Sequence, residues 1–140
     1  MRIKEEYMEN VKNWLMTFPG WEGEAILTDI TRPVVGSLGV FPQGEQTLSS
    51  CRDLLGNGVD TCRQVFLLRR VAVPGVAAQN WLKALSNWVS ACPGPALGEG
   101  VTRWSLGKAR LSKTDMTGLA TYEAELTAQY EKACPGGEGL

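Results

Sequence analysis

The chain has 140 residues, 44% of them hydrophobic and 21% charged, with a formal net charge of −1. A chain this long makes about one domain and buries roughly two thirds of its unfolded surface, enough for a core without disulfide or metal. Near-neutrality leaves no global field to draw it to bare DNA or anionic lipid, so neither sequence-specific nucleic acid nor a membrane is an expected partner.

The N-terminal MRIKEEYMENVK carries charges throughout and lacks an apolar core of signal-peptide length. No run approaches the roughly 18 apolar residues of a membrane span, and the expected location is the cytosol. Ile3, Tyr7, Val11, Trp14, Leu15 and Phe18 fall on one stripe, which predicts an amphipathic helix over 2–17, stopped by Pro19-Gly20. Residues 25–31 (AILTDIT) form a strand candidate ended by Arg32-Pro33. Residues 34–41 suggest a second strand, in which Gly36 and Gly39 point to a bulge or an edge. Residues 42–63 are either a long loop or a hairpin: Glu45–Ser50 can pair as a strand, and Gly56-Asn57-Gly58 is a turn signal.

The stretch the chain is organised around runs from Gln64 to Cys92. Gln64–Val73 is apolar or β-branched at almost every position except Arg69 and Arg70, which predicts a central strand covered on most of both faces. Pro74-Gly75 ends it. Ala78, Trp81, Leu82, Leu85, Trp88, Val89 and Cys92 then recur at helical spacing, predicting a helix over 77–91. Beyond the Pro93–Gly100 linker, Val101–Leu111 reads as one strand, with Trp104 and Leu106 on one face and Ala109 and Leu111 on the other, and Gly107 marking a bulge. Lys113–Gly118 is a polar turn. From Ala120 to Tyr130 the even positions are Ala, Tyr, Ala, Leu, Ala and Tyr and the odd ones polar, which predicts a strand over 119–131. A helix is the rival, since Tyr122, Leu126 and Tyr130 are also four apart. The fold expected is α+β: a mixed or antiparallel sheet of four to five strands with two main helices packed on it. Residues 1–134 would form one domain and 135–140 a disordered tail.

Without histidine the chain cannot host a Ser-His-Asp or Cys-His site, and its four cysteines form no CxxC pair, so neither a catalytic site nor a metal or cofactor site is expected. Cys51, Cys62, Cys92 and Cys134 could pair as disulfides, but free thiols suit a chain with no export signal. The Gly56-Asn57-Gly58 and Gly107-Lys108-Ala109 runs lack the context of a nucleotide-binding loop. Glu22, Glu24, Glu123 and Glu125 could in principle work as acid and base, yet they fall in a turn and on the solvent face of a strand. The adjacent pair Arg69 and Arg70 must point to opposite faces of its strand. Either it marks where the strand leaves the core, or it contributes to a subunit or partner interface. Five tryptophans default to core packing.

From Gln64 onward the order RQVFLLRR, NWLKALSNWVSAC, the break containing Leu97-Gly98-Glu99-Gly100, and WSLGKARLSKTDMTGLATYEAELTAQYEK resembles a family of tail-completion proteins of siphophages and prophages, also labelled minor capsid proteins. The resemblance covers about half the chain and carries no catalytic motif. It implies a hairpin of the last two strands and the role of tail terminator, a virion structural protein capping the tail tube and joining it to the head. The partners that the resemblance implies are the chain itself, in a hexameric ring, the tail tube protein and a head-completion or connector protein. The alternatives are a head-closure or connector subunit of the neck, and a host-side binding module or small carboxylate enzyme.

Overall fold

Alternating burial along two of three long strands builds a sheet with one face dressed for a core. The computed structural model describes residues 5–21, 26–31, 35–97 and 99–134. Ile3, Glu22, Glu24, Arg32-Pro33 and the expected tail at 135–140 lie outside the described residues. The elements run α1 (Glu5–Met16), β1 (Leu27–Thr28), β2 (Leu38–Arg52), β3 (Gly58–Ala72), α2 (Val76–Ala91), β4 (Glu99–Leu106), β5 (Arg110–Thr114) and β6 (Ala120–Cys134). The sheet has six strands in the order β1-β2-β3-β6-β4, with β5 also on β6, one strand more than the upper expectation. β1 pairs parallel to β2 and every other ladder is antiparallel, so this is a mixed-sheet α+β fold.

The period-2 reading of the last strand holds. Ala120, Tyr122, Ala124, Leu126, Ala128 and Tyr130 are all buried, and they face Cys62, Gln64, Phe66 and Leu68 of β3, with Phe66 opposite Leu126. A helix would have spread those six side chains around its circumference. β5 and β6 form the expected hairpin, closed by a turn in which Asp115 Oδ1 accepts from the backbone N–H groups of Thr117 and Leu119.

β3 is central as expected, but it is not covered on both faces. Its even positions from Cys62 to Leu68 are buried, while Thr61, Arg63, Val65, Leu67 and Arg69 are only half-buried. The two helices lie on one face, and no described element lies on the other. The apolar odd positions of β3 are shielded by their neighbours in the sheet instead, as side chains on adjacent strands are close enough to cover one another.

Residues 42–63 fall within a hairpin of two 15-residue strands, β2 and β3, and the second strand expected over 34–41 is only the root of β2. Its irregularities fall between Pro42 and Gly44 and between Thr47 and Ser49, not at Gly36 or Gly39. Gly39 is required for a different reason: a Cβ there would come within 2.3 Å of the Ile30 carbonyl, so β1 could not lie against β2. The Ala25–Thr31 candidate contracts to Leu27–Thr28, with Ala25 outside the described residues. Val101–Leu111 likewise splits into β4 and β5 around Gly107–Ala109. The break resets the phase of the pleat, so Leu111, opposite Tyr122, returns to the face that carries Trp104 and Leu106.

Val11 and Leu15 of α1 and Leu82, Leu85 and Val89 of α2 close the core against this face. An aromatic cluster joins the layers. Trp14 stacks on Trp88 at 5.2 Å and lies 5.0 Å from Trp104, which in turn stacks on Phe66 at 5.8 Å. Phe18 reaches both Trp81 and Trp88 at 5.5 Å. Trp81 and Trp88 are half-buried, because each also presents an edge at the helix flank.

Candidate assembly surface

The arginine pair does point to opposite faces, and each member has partners within the chain. Arg70 turns toward the helices: its guanidinium lies 3.8 Å from the ring centre of Trp81 and 5.7 Å from that of Trp21, and Nη1 donates to the Gly36 carbonyl at 2.9 Å. Trp81 is itself fixed by donating Nε1–H to the Gly20 carbonyl at 2.9 Å. Stacking of a guanidinium on indole keeps its charge while burying its faces. Arg70 thus ties the turn before β2, the segment after α1 and α2 together.

Arg69 points to the open face. It lies over Phe41 at 4.6 Å and pairs through Nε with Glu123 Oε2 at 3.2 Å. Glu123, placed on the solvent face by its odd position, is in fact buried. The Ser112 hydroxyl, then the Arg69 guanidinium and the charge of Arg110, hold its carboxyl below the usual range against the opposing effect of burial. Glu125 on the same face is exposed, as expected. Further toward the hairpin, Arg63 donates to Gln46 Oε1 at 2.6 Å beside a shallow hollow of about 520 Å³ whose floor includes Val65 and Thr127.

On the core-facing side of the hairpin, Glu45 accepts from the Tyr130 hydroxyl and pairs with Lys132 Nζ at 2.7 Å. Burial raises its pKa, but those two bonds outweigh burial and hold the carboxyl below its ordinary value. Burial and the Glu45 bond push the Tyr130 hydroxyl upward. Both carboxylates are thus held ionised near neutrality, which suits cross-strand ties rather than proton transfer. Cys51, Cys62 and Cys92 are free thiols, and burial pushes the Cys62 thiol up, away from the reactive thiolate. Among the described residues no group of histidine, cysteine or carboxylate side chains could hold a metal ion.

What the strand reading did not single out is the hairpin tip. Asp53 Oδ1 accepts from the N–H groups of Leu55 and Asn57 at 2.8 and 3.0 Å, and Gly56 adopts φ 85°, so the turn is fixed. That turn presents Leu54 fully exposed and Leu55 76% exposed. The signal was there as two leucines abutting Gly56-Asn57-Gly58, an apolar pair where turns are polar. The sheet also has open edges. Among the described residues, β1 covers the outer edge of β2 only at Gly39 and Val40, leaving that edge unpaired over its tip-ward half, and β4 and β5 have β6 alone as neighbour.

No protein-family model matches this chain, and a search of curated proteins finds no significant match. No described helix is long and apolar enough to cross a membrane.

Proposed function

We propose that this chain is a structural subunit that assembles with copies of itself into a ring, acting as a phage tail terminator between tail tube and head. The observation that carries the reading is the pair of open edges. β2 and the β4/β5 edge lie at opposite sides of the sheet and run in opposite directions, since each step along β2-β3-β6-β4 is antiparallel. A neighbour related by rotation can therefore extend the sheet antiparallel, and a contact between two different edges of identical subunits closes into a ring when the rotation permits. An exposed edge left without such use is an aggregation hazard. The resemblance from Gln64 onward supplies the tail-terminator role.

The test is deletion of the gene from a prophage that carries it, followed by electron microscopy of the induced particles. Separate full heads and unjoined tails, with joining restored by the wild-type gene, are expected. Heads joined normally to tails of normal length in the deletion would overturn the reading.

A further inference from the structure

A cleft of about 610 Å³ opens between the flank of α2 and the break separating β4 from β5. Leu82, Ala109, Leu111 and Tyr122 give it an apolar floor, and Leu111 is 55% exposed although it belongs to the core-facing side of the pleat. Lys83 and Lys108 also line it, and neither has an acidic partner within salt-bridge distance among the described residues. An apolar floor bordered by two uncompensated cations suits an apolar knob that brings negative charge.

The chain carries such a knob at the other end of the same sheet. The hairpin tip presents Leu54 and Leu55 beside Asp53, while the neighbouring Arg52 is neutralised by Asp60 at 2.9 Å. Gly58, next to the tip, and Arg70, level with Tyr122 of the cleft, are separated by twelve residues of continuous strand. At roughly 3.3 Å per residue that is on the order of 40 Å, so a chain cannot fill its own cleft.

We infer that the Leu54-Leu55 tip of one copy seats in the Lys83/Lys108 cleft of the next, a head-to-tail contact that rests on the self-assembly reading above and fixes how neighbours are staggered. A neighbour displaced along the strands, without being turned over, also brings the free tip-ward half of β2 antiparallel to the outer edge of β5. Knob seating and strand pairing thus share one geometry. Because knob and cleft are different surfaces, the contact is heterologous and propagates from copy to copy.

The test uses sedimentation velocity on the full chain over a concentration series, with two double variants, Leu54→Asp/Leu55→Asp and Lys83→Glu/Lys108→Glu. All four side chains are exposed, so both variants should keep the wild-type near-ultraviolet circular dichroism. The milder Leu54→Ser/Leu55→Ser serves if the aspartates disturb the turn. Each variant alone should associate at least tenfold more weakly than wild type. An equimolar mixture should form a one-to-one dimer that grows no further, since the tip variant retains its cleft and the cleft variant its tip. Association as strong as wild type in either folded variant, or a mixture that stays monomeric, would overturn this contact while leaving the ring reading standing. A wild-type chain that stays monomeric throughout would overturn both.

Discussion

Glu123 occupies an odd position of β6, where alternation alone assigns it to solvent, yet Arg69 and Ser112 enclose it. Its folded pKa lies below the unfolded value, so its contribution to stability is fully present above about pH 4.3 and is lost as pH falls through the folded pKa. Glu123→Gln should therefore melt at a lower temperature than wild type at pH 7, with the difference shrinking as pH falls toward 3. A constant difference in melting temperature across that range would show that the pairing contributes nothing. Some acid sensitivity should remain in the variant, because Glu45 is shifted in the same direction. Trp88 behaves differently from a fully enclosed residue: it stacks on Trp14 and touches Phe18 but keeps an exposed edge. Trp88→Ala should cost about 3 kcal/mol, the low end for a large aromatic truncated in a core, as read by urea denaturation. A loss below about 1 kcal/mol, the ordinary range of surface substitutions, would place its role outside the fold.

The hairpin of β2 and β3 was half legible. The Gly56-Asn57-Gly58 turn signal was sound and Glu45–Ser50 could be read as a strand, but Pro42 and Gly44 hide from propensity that it continues the strand at 38–41. Tertiary pairing overrides it: β2 is zipped onto β3 from Leu38 to Arg52, with two bulges absorbing the mismatch and Pro42 opposite Phe66. Gly56 holds that turn in a left-handed conformation. Gly56→Ala should lower stability by about 1 kcal/mol and raise hydrogen exchange at Leu55 and Asn57, whose N–H groups rest on Asp53. Unchanged exchange at those two amides would mean that the turn tolerates a side chain at φ 85°. The break at Gly107–Ala109 was legible as an irregularity but not as the end of a strand. Nothing in the local pattern says that β4 and β5 share one partner.

Across the whole molecule, the core was legible and the exposed tip and cleft were not. Burial leaves a periodic trace, which is why the helices, β3 and β6 stand out in the sequence. Arg69 and Arg70 violate that pattern, and the structure resolves the conflict within the chain, through Glu123, Phe41, Trp81 and the Gly36 carbonyl. Reversing either charge would disturb packing as well as any contact outside, so neither position isolates assembly from folding. The tip and cleft leave no periodic trace, because periodicity records burial within the chain and their side chains lie exposed at the surface.

The aromatic cluster gives the molecule an optical asymmetry. All five tryptophans sit at the junction of α1, α2 and β4, linked by ring contacts of 5.0 to 6.5 Å either directly or through Phe18. Excitation energy absorbed by one indole will pass among its neighbours, and emission will report the helix layer as a unit. The outer half of the hairpin, from Ser49 to Thr61, holds no tryptophan at all. Fraying or docking of the tip is therefore silent in intrinsic fluorescence, and following it requires a dye on the exposed Cys51 thiol.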